Sequence, residues 1–266
     1  MPLGALSAAL AIGSGGLIGI VLALIGGGGS ILAVPLLVYV VGVPSTHVAI
    51  GTAAIAVALN AAFGVAMHAR LGTVKWRCAL VFAAAGAVGA FLGSLLGKSV
   101  DGTQLLALFG LLMIVVGVSM LRAPTGRTNE DVRLTNLTAP QLLPRLLGIG
   151  GGVGVLAGFF GIGGGFLIVP GLMLATGMSL KNSIGTSLVA VMAFGLTTAG
   201  SYAASGLIDW RLASLVIAGG VAGSSIGARA NAKLGQQKGL LNGTFAAVVI
   251  TVGVYVVSRG VITLSA

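Results

Sequence analysis

The residues of this chain best placed to do chemistry are glycines. Gly26 to Gly29 run into Ser30, and a second cluster, Gly161 with Gly163, Gly164 and Gly165, sits in the string "FFGIGGGFLIVPGL" from Phe159 to Leu172. Each cluster interrupts a strongly apolar run and is followed by a proline, Pro35 or Pro170. Glycine and proline weaken a helix more than any other residues, so both runs are expected to break. A break inside a membrane leaves backbone N–H and C=O groups that only protein, water or a ligand satisfies. The helix restarting at Ser30 or Gly165 turns free N–H groups and the positive end of its dipole toward the break, an arrangement suited to an anion. Hydroxyls near the start of the next helix add donors, Thr52 after the first cluster and Thr186 with Ser187 after the second. The expected ligand set is therefore Gly28, Gly29, Ser30 and Thr52 with Gly163, Gly164, Gly165, Thr186 and Ser187. Donors without a carboxylate suit a small oxyanion. The competing reading is that the glycines only let helices pack closely and the hydroxyls only bond the preceding turn.

The elements that must hold such a site are membrane helices. The 266 residues are 57% hydrophobic and 7% charged, with a mean hydropathy of +1.13, whereas soluble domains are about 25% charged. Long apolar blocks, not alternating strands, point to an all-α integral membrane protein, a polytopic helical bundle in a lipid bilayer. The net charge of +10 comes from basic residues scattered through short loops, which topology explains and nucleic acid does not. The four acids, Asp101, Glu130, Asp131 and Asp209, all fall in expected loops, leaving no carboxylate at mid-membrane to bind a cation or relay protons. The single cysteine, Cys78, excludes an internal disulfide and a multi-cysteine metal site. No nucleophile elbow, zinc pair or carboxylate dyad is read on the helices, so the expectation is a protein with no catalytic residues, no metal and no cofactor, and not an enzyme.

Sliding the chain on itself by about 135 residues reveals a duplication. Pro35 meets Pro170 and the glycine clusters coincide; after one deletion "IGTAAIAV" (Ile50 to Val57) meets "IGTSLVAV" (Ile184 to Val191), and Gly89 and Gly93 meet Gly223 and Gly227. Residues 1–121 form a first transmembrane repeat, 122–144 a polar cytoplasmic linker and 145–266 a second repeat. Each repeat offers five apolar segments, expected at 4–25, 30–43, 48–69, 78–97 and 104–121, then 145–160, 165–178, 183–204, 212–229 and 239–258. The second of each set, at about 14 residues and about 21 Å, is too short to cross a core of about 30 Å, so it is a half-helix or part of a re-entrant hairpin. Counting basic residues with the direction reversed at each segment puts eleven on one side (Arg70, Lys75, Arg77, Arg122, Arg127, Arg133, Arg145, Lys181, Arg229, Lys233, Lys238) and three on the other (Lys98, Arg211, Arg259). That bias places the linker in the cytoplasm and both termini outside. The halves carry opposite charge asymmetry, as inverted-topology repeats do. Gly89, Gly93 and Gly97, with Gly219, Gly223 and Gly227, read as packing seams, and Trp76 and Trp210 as interface anchors. His47, His68 and Lys181 read as loop or interfacial residues.

On these residues the chain resembles the sulfite exporter TauE/SafE family of membrane permeases. The likeness rests on "GIGGGFLIVPGLMLATGMSLKNSIGTSLVAV", Gly161 to Val191, and on its echo "GGGGSILAVPLLVYVVGVPSTHVAIGTAAIAV", Gly26 to Val57. The resemblance implies duplicated helical halves and export of sulfite, organosulfonates or related small sulfur anions across a bacterial inner membrane. An alternating-access carrier is the expected mechanism, with an anion channel, or a permease for another small carboxylate or oxyanion, as the alternative. The first half departs from the pattern, with Ala53 where the second has Ser187 and His47 opposite Asn182, so a shared site would be asymmetric. Assembly as a homo-oligomer is left open.

Overall fold

The computed structural model describes residues 4–25, 27–122, 134–135, 138–161, 165–234 and 238–265. Among them the chain is helical throughout. The first half comprises α1 (Ala5–Ile25), a short composite helix α2, then α3 (Thr46–Arg70), α4 (Trp76–Ser99) and α5 (Gly102–Arg122). The second comprises α6 (Ala139–Phe160), α7 (Gly165–Thr176), α8 (Leu180–Ala204), α9 (Trp210–Leu234) and α10 (Lys238–Ser265). Six of these, α1, α3, α4, α5, α6 and α8, are long and apolar enough to cross a membrane by the described residues alone.

The two interrupted segments are short, for the reason the glycines give. In α7 only 12 residues are helical, about 18 Å of rise, well under the hydrocarbon thickness. Segment α2 is irregular: a 3₁₀ stretch Gly27–Leu32, one α turn Ala33–Pro35 and a π turn Leu36–Val40. A proline inside a helix removes one ladder N–H and crowds the carbonyl four residues back. Changes of helical pitch around Pro35 accommodate this in the first half, and Pro170 stands inside α7, five residues past its start, not in the first turn. Repeat-related positions share their backbone conformation after these segments. Gly42 (φ 81°) and Gly177 (φ 71°) end the two short helices, and Gly72 (φ 65°) and Gly206 (φ 69°) turn the chain after α3 and α8, left-handed positions where a side chain is strained.

The start of the second half differs from expectation. Helix α6 begins at Ala139 and takes in Pro140 and Pro144, which the polar linker was expected to retain. A proline in the first turn costs little because its N–H is one of the unpaired four. Arg77 donates from its guanidinium to the Leu134 carbonyl at 3.2 Å, tying the end of the linker to α4.

The halves interleave. Helix α1 packs along α9 of the other half, and α6 packs along α4. Both seams are glycine-lined and parallel: Gly219 and Gly223 bear on Ile12 and Gly16, and Gly227 on Ile20. In the equivalent seam Gly89, Gly93 and Gly97 bear on Gly151, Val155 and Phe159. A Cβ at Gly223 would fall on the Gly16 carbonyl, and one at Gly154 on the Gly86 carbonyl. Helices lacking a hydrophobic drive to associate in lipid gain from such close backbone approach.

Equivalent helices also pair with each other, and they run antiparallel. In α3 and α8, Gly51 meets Tyr202 and Leu207, Gly195 meets Ala54 and Ala58, Gly64 meets Leu188, and Gly185 meets His68 and Thr73. In α5 and α10, Gly110 meets Gly253 and Val257, while Gly117 meets Ala246 and Ile250. Following these directions, Lys98, Arg211 and Arg259 stand at one end of the bundle and Arg70, Lys75, Arg77, Arg145 and Lys181 at the other. The carboxylates among the described residues cap helices at the first of these ends. Asp101 accepts from the N–H of Thr103 (2.8 Å) and Gln104 (3.4 Å) at the start of α5, and Asp209 from that of Leu212 (3.0 Å) at the start of α9. The Thr103 and Gln104 N–H groups hold the exposed Asp101 carboxyl below its usual range.

Candidate functional site

The two glycine breaks meet. The Gly165 N–H, first of α7, donates to the Ser30 hydroxyl of the other half at 3.2 Å, and both residues are buried. Ser30 and Gly165 are 135 residues apart, the repeat offset itself, so equivalent positions of the two halves touch. Short segments α2 and α7 thereby bring their N-terminal turns together inside the bundle. The positive end of the α7 dipole thus faces Ser30, the fourth residue of the 3₁₀ stretch that opens α2.

The remaining candidates are distributed around this point in different ways. Gly28 lies in the 3₁₀ stretch that leads to Ser30. Gly29 packs against α1, where a Cβ would press on the Ile18 carbonyl and the Leu22 N–H at 2.6 Å. Gly163 and Gly164 lie outside the described residues. Ser187 is fully buried and donates to the Ile184 carbonyl at 2.8 Å, a bond to the preceding turn.

Thr52 and Thr186 are both fully buried and both engaged across the halves. The Thr52 hydroxyl accepts the Asp209 N–H at 3.0 Å, and the Thr186 hydroxyl accepts the Lys75 N–H at 3.0 Å. Each threonine, six residues past the start of its helix, thus caps the entry to the fourth helical element of the opposite half, α9 for Thr52 and α4 for Thr186. The two lie toward opposite ends of the α3–α8 pair, roughly 20 Å apart at 1.5 Å per residue. The structure therefore brings Ser30 and Gly165 together and keeps the two threonines apart.

Toward each end of the α3–α8 pair stands a ring on repeat-equivalent residues, Tyr202 and His68, a feature the sequence reading missed. At the end with few charges, the fully buried Tyr202 packs against Gly51. Lys98 bonds the Ser201 carbonyl (3.1 Å) and the Ser205 hydroxyl (3.0 Å), its ammonium 5.8 Å from the centre of the Tyr202 ring. His47 lies 6.4 Å from the same ring. At the basic end His68 takes the place of Tyr202, packed against Gly185 and bonded through Nδ1 to the Thr73 hydroxyl at 2.9 Å. A tyrosine aligned with a histidine in the two repeats was the available signal.

One string corrects the expectation that no nucleophile elbow is present. Gly223, Ser224, Ser225, Ile226 and Gly227 do spell G-x-S-x-G, but they lie mid-way along α9, where Ser225 donates to the Val221 carbonyl at 3.0 Å. A helix interior lacks the sharp strand-to-helix turn that exposes such a serine. Among the described residues no group of three or more His, Cys, Asp and Glu side chains is close enough to hold a metal.

Comparison with known proteins agrees with this architecture. The family model for the sulfite exporter TauE/SafE matches residues 11–256. The chain belongs to the TauE/SafE family. A probable membrane transporter protein of Xylella fastidiosa is 49% identical over 93% of this chain and 94% of its own length. The probable membrane transporter protein YdhB of Bacillus subtilis is 28% identical over 80% of this chain and 86% of its own. No solved structure matches significantly. The chain is a membrane transporter, a multi-pass protein of the bacterial inner membrane.

Proposed function

We propose that this TauE/SafE transporter carries a small sulfur-containing oxyanion, sulfite or an organosulfonate, outward by alternating access between two inverted repeats. The observation that carries the reading is the bond between Ser30 and Gly165, which sets two helix starts against each other at equivalent positions. The N–H donors and dipole at the start of α7, with the absence of a carboxylate among the described residues near the break, favour an anion over a cation. The name of the family, sulfite exporter, is the ground for the sulfur class.

The antiparallel pairing of α3 with α8 and of α5 with α10 supports the inverted relation of the halves. The two threonine caps supply the moving parts. With both caps formed and both rings seated, the site is closed from either side, and releasing one end at a time gives alternating access. Export needs no coupled ion in principle, since an interior-negative potential drives an anion outward by about 2.3 kcal/mol per charge per 100 mV. The basic end, by the positive-inside bias, faces the cytoplasm.

Thermal stabilisation of the purified protein tests the ligand class. Sulfite, thiosulfate, sulfoacetate or taurine should raise the melting temperature in a saturable way. Stabilisation by cations or neutral sugars alone would contradict the anion site.

A further inference from the structure

Resting on that reading, we infer that Asn60 is a ligand of the transported anion at mid-membrane. Asn60 is fully buried near the middle of α3, and neither its amide nitrogen nor its amide oxygen has a hydrogen-bond partner among the described residues. A buried amide with all its hydrogen bonds unmade is among the costly groups a membrane interior can contain. Such groups persist where a ligand completes them.

The surroundings show a place made for this side chain. Its amide lies against Gly220 of α9, where any Cβ would occupy the same space. Gly220 in turn bears on Gly19 of α1, and Gly29 of the first break bears on Ile18 and Leu22 of that helix. About one turn of α1 thus links Asn60 to the break. On α3, Asn60 lies between Ala58, opposite Gly195, and Gly64, opposite Leu188, the midpoint of the antiparallel pair.

The repeat supplies a control within the molecule. The residue equivalent to Asn60 is Phe194, and the residue equivalent to Gly220 is Gly86; Phe194 fills the space over Gly86 and stacks on Phe82 at 6.2 Å. The same niche is thus closed by an apolar ring in one half and holds an unpaired amide in the other. Packing alone is served by phenylalanine, so the polar version needs a polar partner. The amide NH₂ donates to an oxyanion oxygen, and the amide oxygen accepts from a hydroxyl or amine on the same substrate, as in a singly protonated oxyanion or an aminosulfonate.

The test uses the purified full chain with sulfite, thiosulfate, sulfoacetate and taurine as probes, measuring affinity and ligand-free melting temperature for wild type, Asn60→Leu and Asn60→Ala. Leucine replaces an unpaired amide by an apolar group of similar size, so the ligand-free melting temperature should hold or rise while affinity for the wild type's best probe falls at least tenfold. Asn60→Ala, should leucine fail to fold, should show the same loss of affinity. Wild-type affinity in either folded variant would overturn the role of Asn60 alone. Binding of none of the four anions by wild type would overturn the anion reading, and this inference with it.

Discussion

At the scale of single residues, Thr186 and Thr52 carry more of the fold than their place in the sequence announces. Each accepts a backbone N–H from a residue far along the chain, Lys75 and Asp209, at separations of 111 and 157 residues. Valine keeps the shape of threonine and leaves that N–H unpaired beside an apolar group, a loss of about 1–3 kcal/mol. Thr186→Val and Thr52→Val should each lower the ligand-free melting temperature, and Thr186→Ser should restore most of it. Melting temperatures unchanged by both valines would show that the caps contribute nothing. A hydroxyl directly after an isoleucine–glycine pair reads from sequence as a free donor. Its partner belongs to the other repeat, and no local pattern gives that pairing. Asn60 was missed for a related reason: one asparagine in an apolar helix has no motif, and only its neighbours reveal that it is unpaired.

At the scale of elements, the sequence was most informative where chemistry is local. The positions of the long helices, apart from the early start of α6, and of the two short ones follow from apolar runs punctuated by glycine and proline. Less legible was the form of the first short segment, because α2 divides among three helical pitches around Pro35 where α7 stays α-helical around Pro170. The spacing-four glycines identified seams, but not that each seam joins one half to the other. The parallel α1–α9 and α4–α6 contacts make a paired prediction. Gly223→Ala and Gly93→Ala set a methyl against the backbone of Gly16 and of Val155 respectively, and each should destabilise the bundle by about 1–3 kcal/mol. Gly152→Ala, with nothing within 4 Å of the added carbon, should stay within about 0.5 kcal/mol of wild type. Equal melting temperatures for all three would mean that the seams are not close-packed in the membrane.

At the scale of the whole molecule, the interleaving gives the transport reading its mechanics. Because α1 packs on α9 and α6 on α4, each half is built into the other, not set beside it as a separate bundle. In the proposed cycle the α3–α8 pair, with a threonine cap and a ring toward either end, is the element that opens. The proposed orientation rests on the charge bias. With Cys78 replaced, a cysteine at the exposed Thr135 on the basic side should resist membrane-impermeant thiol reagents added to intact cells, while one at the exposed Pro44 should react. The reverse pattern would invert the topology. The account as a whole stands on carriage of a small anion by a saturable cycle, and counterflow in proteoliposomes measures that most directly. Vesicles preloaded with unlabelled sulfite should transiently accumulate labelled sulfite above equilibrium, with net flux following an imposed potential after the pH gradient is collapsed. Flux without saturation or overshoot would identify a channel, and flux lost with the pH gradient at fixed potential would contradict an uncoupled anion carrier.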